Sequence, residues 1–131
     1  MVHCSAIYGE IFSHRAQGNH DESGARIHEA LKGVPEEVPI IEPCCASETD
    51  LLRVHTSSHI RMIREFSSHG GLYYIDHNTY IDGETFSMAS YAAGAAIEAV
   101  NRSIDGEACF AIVRPPGHHA ESERAMGFCI F

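Results

Sequence analysis

Residues 109–129 read CFAIVRPPGHHAESERAMGFC, and two imidazoles stand side by side there, His118 and His119, directly after Pro115, Pro116 and Gly117. An imidazole titrates near neutrality, at about pH 6.5 when unperturbed. One such ring can take a proton from water while another delivers one to a leaving group. Adjacent side chains on a strand point to opposite faces, and on a helix they diverge by about 100°. Only irregular backbone turns both rings toward one cavity. Proline fixes φ and glycine opens conformations closed to other residues, so Pro-Pro-Gly predicts irregular backbone at this point. The dipeptide alone also fits two surface histidines or two hydrogen-bonded core histidines. By itself it is a poor metal site, because zinc needs three or four converging ligands.

The totals narrow the classes of function. The 131 residues amount to one domain, long enough to bury roughly two-thirds of the surface exposed by the unfolded chain. Acidic residues outnumber basic ones 18 to 9, for a net charge of −9. That argues against direct nucleic-acid binding, which needs cations on phosphates, and leaves room for a cationic substrate, which an acidic surface would attract. The five cysteines, Cys4, Cys44, Cys45, Cys109 and Cys129, are odd in number and form no CxxC pair. A disulfide framework or structural zinc is therefore not expected, and a reducing, cytoplasmic location is. The first twenty residues lack a basic region followed by a long apolar core, so no signal peptide is expected. No apolar run approaches the ~18 residues of a membrane span.

The elements that must position the histidines follow from periodicity and caps. CSAIYG at 4–9 reads as a short strand, and 22–32 as a helix with Ile27, Ala30 and Leu31 on one face. Prolines 35, 39 and 43 leave only 38–42 extended. Ser47 with Asp50 predicts a capping box. A second helix follows from Thr56, with Ile60, Ile63 and Phe66 facing inward, and stops at SSHGG. The 72–85 stretch reads as loop with a short strand. Residues 84–102 form the strongest helix, with Phe86, Ala89, Ala93, Ile97 and Val100 on one side and small residues around Gly94 for close packing on a sheet. CFAIV then reads as a buried parallel strand. Helix, buried strand and Gly-containing loop is the grammar of an α/β sheet, in which sites form beyond the carboxyl ends of strands. The apolar last residues, CIF, read as an element that continues past Phe131.

RPPGHHA from Arg114 to Ala120, with Gly127-Phe128-Cys129 after it, resembles the signature of zinc-dependent histone deacetylases of the class II-like type. The wider family, the arginase/deacetylase superfamily, includes acetylpolyamine amidohydrolases and acetoin-utilisation proteins. HDESGARI is similar to the family's His-Pro-Glu…Pro…Arg stretch, keeping His20, Glu22 and Arg26, with Asp21 and Gly24 where prolines are usual. ASETDLLRVHTSSHI resembles its LLRVHS.EYI segment, with His59 where Tyr is usual. IDHNTYIDGETFSMASYAAGAAIEAV resembles its D.DTYVSPGSYEAALLAAGA region, with Asn78 in place of an acid.

The resemblance implies a partial arginase/deacetylase-like α/β fold, a parallel sheet flanked by helices and cut short after the His-His loop. Residues 1–131 would be the N-terminal portion of a single deacetylase catalytic domain. The implied reaction is metal-dependent hydrolysis of N-acetyl amides, acetyl-lysine on proteins or acetylpolyamines, with His118 and His119 as general base and acid. Gly127 and Phe128 match the wall of the acyl-chain tunnel, Asp76 a rim residue that binds the substrate backbone, and Arg26 an arginine of an acetate channel. Without the motif, Phe128 fits the core, Asp76 a turn and Arg26 a solvated helix face. The family's Zn2+ is held by an Asp-x-His pair and a further Asp, and its carbonyl-polarising Tyr follows too, all after GFC. No Asp-x-His follows residue 119. The parent enzyme is thus expected to use zinc, and this chain alone to lack its ligands and its activity. A partial sheet leaves an unpaired edge, so self-association is expected. The other reading is a non-catalytic, deacetylase-like domain that works by association or regulation.

Overall fold

A computed structural model describes residues 3–14 and 20–131. Strand β1 (Cys4–Ile7) lies at the centre of a three-stranded sheet, between β2 (Ile40–Ile41) and β5 (Ala108–Ala111). Both pairings are parallel, and Ala6 sits opposite Ile40 on one side and Phe110 on the other. Helices α1 (Gly24–Leu31) and α4 (Thr85–Ile104) flank the sheet. One core joins all three layers through Ala6, Tyr8, Phe12, Ile27, Met88, Ala92 and Ile112.

Helices α2 (Glu48–Leu52) and α3 (Ser57–Ser68) start on side-chain caps. Ser47 Oγ accepts from the Asp50 N–H, and the Asp50 carboxylate accepts from the Ser47 N–H, so two orphan donors at the start of α2 are satisfied reciprocally. Thr56 Oγ1 caps α3 by accepting from the His59 N–H, without a reciprocal bond. A hairpin of β3 (Tyr73–Tyr74) and β4 (Tyr80–Ile81) links α3 to α4. Ile63, Ile81, Ala89, Ala125 and Ile130 form a second cluster, which seats the last loop of the chain on α3, β4 and α4. No helix among the described residues is long and apolar enough to cross a membrane.

The structure corrects four details of packing. The 109–113 run is not buried on both faces. Its strand lies at the sheet edge, and Phe110 is 66% exposed because nothing among the described residues covers that face. On α4 the buried stripe is Met88, Ala89, Ala92 and Ala95, while Ile97 and Val100 are exposed, because the face they share with Phe86 and Ala93 is left uncovered by the described residues toward the end of the helix. On α3, Ile60 and Ile63 are buried but Phe66 is exposed, where it meets the Tyr73 ring edge-on at 4.9 Å. Gly94 packs against the 44–46 backbone and not against the sheet. A Cβ there would collide with the Cys44 carbonyl oxygen and lie 2.6 Å from the Ala46 nitrogen. The Ala46 N–H donates to the Ser90 carbonyl at 3.0 Å across the same contact.

Candidate active site

Beyond β5, the Ile112 N–H donates to Ile7 O and carries the sheet pairing one step further. The chain then reaches Arg114, whose side chain is 1% exposed. A buried guanidinium must be paired and fully hydrogen-bonded. Its Nε donates to Glu22 Oε1 at 2.6 Å and one Nη to Glu22 Oε2 at 2.8 Å, a two-pronged ion pair. The other Nη donates to the His14 carbonyl at 2.8 Å and contacts Met88 Sδ at 3.1 Å. The Tyr80 hydroxyl accepts from Arg114 and donates to the Glu22 carbonyl. Burial, and then the Glu22 carboxylate, push the Tyr80 phenol well above its ordinary pKa, so it stays a donor. Glu22, Tyr80, Thr85, Met88 and Phe128 are among the residues around a cavity of ≈ 10 Å³ beside this pair, about the room one water needs.

This anchor sits directly before Pro115, and the irregular backbone expected of Pro-Pro-Gly follows, including a cis Arg114-Pro115 bond. The His118 and His119 rings come together there, centroids 4.2 Å apart and planes tilted by 47°. Both side chains are exposed. The His119 N–H points at Cys129 Sγ, 3.3 Å away, and the Ala120 N–H closes a turn onto the Gly117 carbonyl. Met126 and Cys129 bridge, which folds the GFC turn back onto the histidines.

Gly127 has φ +58, and a Cβ at this position would lie 2.9 Å from His119 Cδ2. Only glycine gives both that backbone conformation and that approach. Phe128 follows with φ +68, unusual for a side chain of its size, and its N–H donates to Thr79 Oγ1 at 3.1 Å. Gly127 therefore walls His119 directly, and Phe128, half-buried, ties the wall to the β3–β4 hairpin.

The other candidates fall elsewhere. Asp76 accepts from the Asn78 and Thr79 N–H groups at 2.9 and 2.7 Å and so shapes the hairpin turn. Those bonds, led by Asn78, hold its carboxyl below the usual carboxylate range. Arg26 is exposed on α1, and the buried arginine among the described residues is Arg114. The sequence displayed Arg114 within the motif without a role for it. The available signal was a lone cation between an apolar strand and Pro-Pro, which must be either solvated or paired. His14 and Asp82 form a further pair at 2.9 Å, with Asp82 buried at the start of α4.

Among the described residues no three His, Cys, Asp or Glu side chains converge as a metal site.

Comparison with known proteins bears on this arrangement. Residues 19–131 match the family model described as "Histone deacetylase domain". A probable deacetylase of Methanothermobacter thermautotrophicus is 36% identical over 120 residues, which is 90% of this chain and 36% of that protein. The polyamine deacetylase HDAC10 of Mus musculus is 33% identical over 107 residues, covering 76% of this chain and 16% of that protein. The crystal structure of the HDA15 HD domain superposes with a TM-score of 0.85 at 27% identity, over 99% of this chain and 40% of that one. This chain therefore spans well under half the length of these relatives.

Proposed function

The chain belongs to the histone deacetylase family, and from that premise we propose that it carries one wall of an amide-hydrolysing site whose substrates are N-acetyl amides, either acetyl-lysine on proteins or acetylpolyamines. The observation that supports this most is the exposed imidazole pair with ring centroids 4.2 Å apart. Two rings that close can serve one reacting centre, the first taking a proton from water and the second delivering one to the leaving amine. Gly127 and Phe128 line the path of the acyl chain. Asp76 keeps lone pairs free beyond its two turn bonds and can accept from a substrate N–H at the rim. Arg26, exposed, is available to an anion such as acetate.

The family is generally metal-dependent, and this reading assigns zinc to the full-length protein, on ligands outside residues 1–131. Residues 1–131 alone are then inactive. Self-association through the free β5 edge, and a cytoplasmic location consistent with five free thiols, belong to the same reading. Light scattering that stays monomeric across concentration would remove the association.

The test is hydrolysis of acetyl-lysine peptide and of acetylpolyamine by the full-length protein and by this chain. His118→Ala and His119→Ala in the full-length protein are each expected to lower kcat by about 100-fold or more. This chain is expected to show no turnover and to retain no stoichiometric zinc. Parental rates in both histidine variants would overturn the reading in favour of a non-catalytic domain.

A further inference from the structure

The segment that carries His118 and His119 is held at two points by imidazoles with no role in the reading above. His55 Nδ1 lies 3.0 Å from the Glu121 carbonyl oxygen. His59 Nε2, at the start of α3, lies 2.9 Å from the Ile130 carbonyl oxygen. A carbonyl only accepts, so each of these nitrogens carries a proton and donates it. Both side chains are buried, and the two rings lie 5.0 Å apart. Phe131 packs on both, at 5.5 and 5.9 Å.

Both acceptors follow the histidines in the chain, the first closely and the second through a bond back to the start of the loop. Glu121 comes two residues after His119, and the adjoining Ser122 carbonyl accepts from the Thr56 N–H at 2.9 Å. Ile130 returns the chain to the loop's start, donating its own N–H to the Pro116 carbonyl at 3.3 Å. His59 Nδ1, meanwhile, is buried without a hydrogen-bond partner among the described residues. An unpartnered buried nitrogen is costly. A phenyl ring would fill the same volume without that cost, so what the imidazole adds is its bond to Ile130.

We propose that His55 and His59 are positioning residues, whose ring N–H groups clamp the two ends of the loop that presents His118 and His119. The proposal deepens the functional reading and rests on it only for what the loop does. Its test needs no turnover, so the two can fail separately.

The side-chain amide nitrogen of Asn overlays His Nδ1, and that of Gln overlays His Nε2. His55→Asn and His59→Gln therefore keep each donor in place, while His55→Gln and His59→Asn move it by one bond. Amide hydrogen exchange, read by NMR on this chain, is followed at His119, Ala120 and Ile130, with Ala6 and Tyr8 of the sheet as controls. The matched variants are expected to keep loop protection within about twofold of the parent, and the mismatched ones to lose about tenfold or more with the sheet unchanged. Equal protection in the two members of each pair would overturn the proposal. Sheet protection lost along with the loop in both members would overturn it too, by making these histidines part of the general core.

Discussion

The base and the tip of the 114–129 segment are built in opposite ways. At the base, Arg114 is enclosed, and every direction its guanidinium can donate meets an acceptor, from the Glu22 carboxylate to the His14 carbonyl. At the tip, His118 and His119 are exposed, and their own stretch of backbone is held by one turn bond and one sulfur contact. The side-chain bonds from His55 and His59 meet the chain only further along, at Glu121 and Ile130. The difference shows where order is generated. A chain that must present two accessible imidazoles in one orientation cannot bury them, so the rigidity is placed a few residues upstream, where burial makes an ion pair intolerant of change.

That contrast breaks most visibly at Glu22. Glu22→Gln strands the Arg114 charge in the core and is expected to cost about 3–5 kcal/mol in urea unfolding, whereas His118→Ala and His119→Ala should each stay within about 0.5 kcal/mol. Equal losses at base and tip would abolish the distinction. Gly127→Ala probes the boundary between the two. It forces a Cβ into left-handed backbone, for about 1–2 kcal/mol, and into the His119 ring, so a shift of the His119 ring resonances should accompany the lost stability. An unshifted ring would mean that Gly127 does not wall His119.

Acidification should separate the regions with smaller effects. Burial, and then the neighbouring His59, push the His55 pKa below 6.5, so the fold favours its neutral ring. That contribution is complete above the unfolded value and declines as pH falls below about 6.5. Asp82 behaves differently. Burial raises its pKa, but bonds from His14, Thr85 and the Glu84 N–H outweigh burial and leave it below 3.8. Its contribution persists until pH drops below about 4. Stability measured from pH 8 downward should therefore fall in two stages. His55→Asn should flatten the first and Asp82→Asn the second; a single stage unaffected by either substitution would contradict the assignment.

Much of the scaffold was legible because its signals act over a few residues. The Ser47–Asp50 box, the Thr56 cap and the apolar period of 84–102 each declare a helix locally. What could not be read depends on partners far along the chain. Arg114 meets Glu22 across 92 positions, and His59 meets Ile130 across 71. Periodicity also says which residues share a face, but not whether another element covers it, which is why Phe110, Ile97 and Val100 read as core and stand exposed. At the site, the motif singled out His118, His119 and Gly127, and the fold places them side by side. The Arg114–Glu22 anchor beneath them came only from the fold, which also settles Asp76 in the turn that its residue type allowed.

Where α4 crosses residues 44–46, main chain meets main chain at Gly94, with no side chain between to adjust. Such a joint has no rotamers through which to yield, so the helix and that strip of chain travel as one solid piece. Cys44 is nevertheless exposed, whereas the Cys45 sulfur turns back onto the Ala46 carbonyl. A spin label or fluorophore attached to Cys44 would thus ride on the long helix and report its tilt from outside the molecule, without prying the joint open.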